Sequence, residues 1–289
     1  MSDEAGADDG GGVRSEMEHD QLRALKCRDA DVDDTPMRIS RLVVTAALSV
    51  GLTLVSSGAA LAAPKSTSPT VGYDVSYPQC GGPLPAKPAF GIVGVSDGLA
   101  YGENPCLAQQ YAWALAAPKA PPAFYMNTGN PGTLATRVNW YAQNGPEQCD
   151  TANEGGCAYN YGYHAARDAF EYAASQSSSS AATTAAWWLD VETANSWSTD
   201  HLLNVRDIQG SLDYLRNIAG VSSVGIYSTG YQWGQITGGA NLGPTIPNWV
   251  AGALNAKRAP ALCSSSFSGG KVQLVQYPSG GFDANYTCA

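Results

Sequence analysis

The chain has 289 residues, of which 14% are charged, and a formal net charge of −9 at pH 7. An acidic balance with no Lys/Arg cluster beyond Lys257-Arg258 argues against nucleic acid as a partner. With three histidines and no C-x-x-C pair, the chain also lacks the usual ligands for a structural zinc site, and neither metal nor cofactor is expected.

Residues 1–36 are acidic, rich in Gly and Asp and free of apolar periodicity, so they are expected not to fold. Next, Met37-Arg38-Ile39-Ser40-Arg41 gives a basic start, "LVVTAALSVGLTLVSSGAALAA" an apolar run, and Ala60-Leu61-Ala62 the small residues suited to cleavage. Residues 37–63 therefore read as a signal peptide. Residues 1–36 are either a disordered leader or a segment upstream of a true start at Met37. Alternatively, the 22 residues from Leu42 to Ala63 stay as a membrane anchor, being long enough to span a bilayer. Both readings put residues 64–289 outside the cytoplasm, so a secreted domain is expected.

Six cysteines follow the leader: Cys80, Cys106, Cys149, Cys157, Cys263 and Cys288. An even set in an exported domain implies three disulfides, and six cysteines allow fifteen pairings. Sequence proximity favours 80 with 106, 149 with 157 and 263 with 288. Residues 64–289 suffice for one large barrel-sized domain, expected to be monomeric.

Seven short apolar or aromatic runs read as strands: 71–77, 90–96, 122–128, 185–192, 223–229, 247–252 and 271–277. Helical spacing appears over 105–117 and 159–174. The clearest helix runs from about Thr199 to Ala219, capped by Ser198 or Thr199 and stopped by Gly220. "SQSSSSAATT" (175–184) reads as a surface loop. Alternating strands and helices predict parallel strands covered by helices. After residue 229 the chain turns rich in Gly, Pro and Ser, which fits a barrel whose last strands lack full crossover helices.

"WWLDVETANSW" (187–197) ends an apolar strand with two carboxylates. Residues two apart in a strand share a face, with Cα atoms roughly 6.5 to 7 Å apart. Trp187, Leu189 and Val191 can bury against helices, leaving Trp188, Asp190 and Glu192 to face the barrel axis at the C-terminal rim, where α/β barrels carry active sites. Two carboxyl groups in different environments are what glycosidic cleavage needs. In "GYDVSYPQCG", Asp74 has the parity to point inward, and in "VQLVQYPSGGFDANYTC" Asp283 follows a Gly-rich turn. Four carboxylates could thus meet at one rim. The bland reading of Asp283 is an ordinary turn residue.

These stretches, with "GIYST" and "NWVAG", resemble the family 25 glycoside hydrolases, the N-acetylmuramidase-type lysozymes, over residues 71–286. The resemblance implies an α/β, modified TIM-type barrel of five βα units followed by three strands, (β/α)5 then β3. It implies Glu192 as general acid/base and Asp190 as nucleophile or as the group that orients a substrate N-acetyl, with Asp74 and Asp283 completing the cluster. Tyr125, Tyr227, Trp249, Gln276 and Tyr277 would line the glycan groove. The second strand departs from the family: "GIVGVSDGLAYGEN" has Asp97-Gly98 where a Lys-or-Arg-containing, Glu-Gly-ended motif is usual, making Asp97 the candidate substrate contact there. The region 129–156 is also longer than the common pattern, as a lid, a groove wall or a plain surface loop. The expected function is secreted cleavage of β-1,4 bonds in peptidoglycan. Other readings are a glycosidase on another cell-envelope amino-sugar polymer, or an inactive carbohydrate-binding barrel.

Overall fold

A computed structural model of the chain describes residues 71–132 and 140–288. The acidic leader, the signal-like segment and Cys27 lie outside the described residues, as does part of the long 129–156 region.

Eight strands close into a barrel in chain order. They are β1 (Gly72–Val75), β2 (Gly91–Gly94), β3 (Ala123–Asn127), β4 (Trp187–Asp190), β5 (Val224–Ser228), β6 (Asn248–Val250), β7 (Val272–Ser279) and β8 (Phe282–Thr287). Strands β1 to β7 pair in parallel, and β8 closes the barrel by running antiparallel to both β7 and β1. The β7–β8 hairpin turns on Gly280 and Gly281, both at positive φ (62° and 84°), as a two-residue turn matched to strand twist requires. The eighth strand was absent from the seven sequence runs because its alternation is weak: only Ala284 and Asn285 are buried in it.

The helices are α1 (Leu107–Leu115) after β2, then α2 (Trp140–Gln143), α3 (Glu154–Gln176) and α4 (Ser179–Thr184) after β3. After β4 comes α5 (His201–Asp213), continued by a π-helical turn over Tyr214–Ile218, and after β5 comes the short α6 (Gly230–Thr237). The connection after β1 holds a 3-10 turn at Tyr77–Gln79, and the one after β6 a 3-10 segment at Ala259–Ser264. Helical cover thus thins on the β6–β8 side.

Two local expectations are corrected. The cap of α5 is Asp200, whose side chain accepts from the Leu202 amide, so the helix begins later than Ser198 or Thr199 would set it. "SQSSSSAATT" is mostly helical: α3 runs on to Gln176, and Ser178 caps α4 by accepting from the Ala181 amide at 3.1 Å. Serine's weak helix propensity is offset there by its strength as a cap.

Parity divides the core. Trp187, Leu189 and Val191 pack outward in one cluster with Ala165, Ile208 and Leu212 of α3 and α5. Trp188 turns inward, where it meets Ile92, Trp249 and Leu274 in the barrel interior. Room for these rings comes from glycine: a Cβ on Gly225 would lie 2.4 Å from the Trp188 ring, and one on Gly94 within 2.6 Å of Tyr125 and Ser76. A third cluster, with Val275, Tyr277 and Ala284, covers the outer face of the helix-poor side. The disulfides are Cys80–Cys106, Cys149–Cys157 and Cys263–Cys288, the pairing that sequence proximity favoured. Among the described residues no helix is long and apolar enough to cross a membrane.

Candidate active site

The inward-facing polar groups collect at the C-terminal ends of the parallel strands. Asp74 on β1 lies directly opposite Asp283 on β8, so these carboxylates share one face, and Asp283 is a strand residue rather than a turn residue. Asp74 is buried. Its Oδ1 accepts from Asn285 Nδ2 at 2.6 Å and its Oδ2 from Gln276 Nε2 at 3.0 Å. Burial, with a smaller contribution from Asp283, raises its pKa to about 7 despite those hydrogen bonds. Asp283 is exposed, and partial loss of water contact alone raises it.

Asp190 ends β4, in register with Asn127 on β3 and Tyr227 on β5. It is 5% exposed, and Asn127 Nδ2 donates to its Oδ2 at 2.6 Å. Burial raises its pKa well above the usual carboxylate range. The charge of Glu192, a hydrogen bond shared with that carboxyl, and Asp74 raise it further. Once ionised, its Oδ1 is a buried oxygen with no donor. Asp190 therefore gives up its proton reluctantly.

Glu192 lies two residues beyond, just past the strand and half-buried at the mouth. The Trp197 indole donates to its backbone carbonyl at 2.7 Å. Its Oε1 accepts from Gln232 Nε2 at 3.3 Å, while Gln232 Oε1 accepts from the Thr193 amide at 2.6 Å and the Thr193 hydroxyl at 3.0 Å. The Thr193 amide can only donate, so it fixes which end of the Gln232 amide faces the glutamate.

Tyr227 donates to Gln276 Oε1 at 2.8 Å, linking it through Gln276 to Asp74. Burial first, then Glu192 and the three aspartates, hold its hydroxyl protonated well above the ordinary tyrosine range. Tyr125 is raised for the same main reason, burial, with Asp74 next. Asp74, Asp190, Glu192, Asp283, Tyr125, Tyr227 and Gln276 thus form one electrostatically coupled group. Among the described residues the ion pairs are Arg167–Asp168 and Arg206–Glu147, and no cation contacts this group.

Three sequence candidates fall elsewhere. Tyr277 has the opposite parity to Gln276 and packs outward with Val250 and Val275, so it is no groove residue. Trp249 is inward but only 1% exposed, stacked edge-on to Tyr227 at 4.6 Å and to Trp188 at 5.7 Å: it floors the site and offers no face to a sugar. Asp97 is exposed after β2, with its carboxylate turned against Gly102. The structure adds Asn127, Asn285 and Gln232. The first two lie two residues from Tyr125 and Asp283, so strand parity could have found them. A larger apolar cavity of about 470 Å³, lined by Phe90, Ile92 and Trp188, involves none of the carboxylates.

A closed α/β barrel with carboxyl groups gathered at its C-terminal rim is an arrangement that glycosidases use. Comparison with known proteins narrows it: the chain is similar to the lysozyme-like glycoside hydrolases. The family described as Lysozyme-like protein 1 matches residues 157–260. A probable GH family 25 lysozyme of Dictyostelium discoideum is 34% identical over 64 residues, 22% of this chain and 29% of that protein. Among solved structures, a muramidase from Trichobolus zukalii aligns at 18% identity over 76% of this chain and 94% of its own, with a TM-score of 0.47. The modular Cpl-1 endolysin, solved with a peptidoglycan analogue, aligns at 17% identity over 76% of this chain and 54% of its own, with a TM-score of 0.37.

Proposed function

We propose that this chain is a secreted lysozyme-type glycoside hydrolase that cleaves β-1,4 bonds of peptidoglycan. The observation that carries the reading is the Asp190–Glu192 pair: one carboxyl sealed, slow to ionise and raised further by Asp74, its neighbour at the mouth. Glycosidic cleavage asks for that division of environments.

In this reading Glu192, within reach of substrate, protonates the leaving oxygen and later activates water. Asp190 sits below it. Its burial and its bond to Asn127 suit a group that accepts from a substrate N-acetyl N–H and steadies the developing positive charge, rather than an exposed nucleophile. Substrate binding that draws the proton from Asp190 toward Glu192 would charge the acid for its step. Asp74 opposes ionisation of Asp190, and Tyr227 and Tyr125 supply protonated hydroxyls along the wall. Secretion is supported by the three disulfides, which persist in oxidising compartments.

Glu192→Gln tests the assignment. Turnover on peptidoglycan should fall at least about a hundredfold, the lower range for loss of a general acid, with glycan binding retained. Equal binding without turnover by both wild type and variant would instead make the barrel a carbohydrate-binding module.

A further inference from the structure

The apolar cavity of about 470 Å³ lies at the end of the barrel opposite the carboxylates. Of the residues that line it, Ile92, Ala123 and Trp188 stand at the starts of β2, β3 and β4, Lys271 directly precedes β7, and Thr287 ends the antiparallel β8. It reaches inward as far as Ile92, Trp188 and Leu274 of the barrel interior. Its rim is fixed by backbone. The Lys119 amide donates to the Ala89 carbonyl at 3.0 Å, and the Asn248 amide to the Lys271 carbonyl at 2.9 Å. The ring of Phe90, another lining residue, lies so close over Gly72 that a Cβ there would meet it at 2.1 Å.

Charge is divided along the barrel axis. The stretches that lead into β2 to β7 are residues 82–90, 116–122, 177–186, 219–223, 238–247 and 265–271. They contain no Asp or Glu, and they carry Lys87, Lys119 and Lys271, all exposed. At the other end, Asp97 and Glu103 follow β2, and Glu192 and Asp200 follow β4. Among the described residues the ion pairs are Arg167–Asp168 and Arg206–Glu147, so the three lysines are spent on none. A chain with a formal net charge of −9 thus presents basic side chains around an apolar hole. A sugar would press its hydroxyls unbonded against Ile92, Trp188 and Leu274. A wholly apolar ligand would leave the lysines unused. An acyl chain that ends in an anionic head group satisfies both parts.

We infer that this end of the barrel docks on an anionic lipid surface, with one acyl chain entering the cavity and the lipid phosphates held by Lys87, Lys119 and Lys271. Attraction to the surface supplies the approach, and burial of the chain supplies the hold. Docked in this way, the barrel opens its carboxylates away from the membrane. The inference is independent of the glycosidase reading, since it concerns binding at the opposite end.

The test offers the full chain vesicles of phosphatidylglycerol or of phosphatidylcholine, both with brominated acyl chains that quench nearby tryptophans. Trp188 lines the cavity and is 2% exposed, so the part of the quenching that disappears in Trp188→Phe reports a chain inside it. That part should appear with phosphatidylglycerol, fade as salt rises, and be absent with phosphatidylcholine. Replacing Lys87, Lys119 and Lys271 together by Gln should raise the lipid concentration for half-quenching about a hundredfold, at about fivefold for each lysine. Ala120→Phe, at an exposed lining position, should abolish the Trp188 quenching while vesicle sedimentation still shows binding. Thermal melts check that every variant folds. Equal quenching by the two lipids overturns the inference. So does Trp188 quenching that survives both the lysine and the Ala120 substitutions in folded protein, or binding to vesicles without any quenching of Trp188.

Discussion

Asp74→Asn should stabilise the domain at pH 7.5 relative to its effect at pH 4. A carboxyl whose folded pKa is raised costs nothing when both states are protonated, below the unfolded value of 3.8. As pH climbs from there to about 7, the unfolded chain ionises while the folded one holds its proton, and wild-type stability drains away at about 1.4 kcal/mol per pH unit. Over that window the loss is about 4 kcal/mol. Asparagine cannot ionise, so it escapes the whole of it. Its amide also sets a donor against Gln276 Nε2, which now donates to Asp74 Oδ2, at a cost of about 1 to 3 kcal/mol that does not change with pH. The readout is therefore the difference between the two stability changes, in which the constant part cancels. Urea unfolding with disulfides intact, at pH 4, 5.5 and 7.5 and fixed ionic strength, measures it. A stability change equal at all three pH values would refute the burial of Asp74 as the source of its shift.

Asp207 of α5 carries the same logic away from the site: it is fully buried, neither carboxylate oxygen has a partner, and burial alone raises its pKa. Asp207→Asn should gain stability over wild type as pH rises above the usual carboxylate range and gain none below it, with activity unchanged; unfolding at pH 4 and 7.5 decides. Gln232→Ala should lower kcat about tenfold with little change in KM, since it frees Glu192 without removing a substrate contact, and steady-state kinetics with a pH profile checks this. Replacing Cys80 and Cys106 by Ala opens a link with a sequence separation of 26 and should cost about 3 kcal/mol, read as a lower urea midpoint.

Strand periodicity made much of this site legible. The alternation in "WWLDVE" assigns Trp187, Leu189 and Val191 to the helices and Asp190 to the interior, because a period of two leaves no other choice once one face is strongly apolar. The same rule, applied to β7, would have separated Gln276 from Tyr277, since neighbours on a strand cannot both face inward. Trp249 shows a different limit. Parity gives its direction but not its depth, which follows from its packing against Trp188 and Tyr227 below the rim. Gln232 was concealed by its own local pattern. Thr229 and Gln232 have capping-box spacing, and Thr229 does cap α6 by accepting from the Gln232 amide at 3.1 Å, but the glutamine side chain reaches across to Thr193 and Glu192. A contact between residues forty apart has no signature in one sequence.

The central claim is that acidic groups from β1, β4 and β8 meet at one barrel mouth to cut a glycan. Incubating the purified protein with purified bacterial cell walls, and identifying the sugar at each new reducing end, tests it most directly. N-acetylmuramic ends that appear with wild type and vanish with Glu192→Gln are the predicted result. An unchanged glycan, or ends produced equally by the variant, would contradict it.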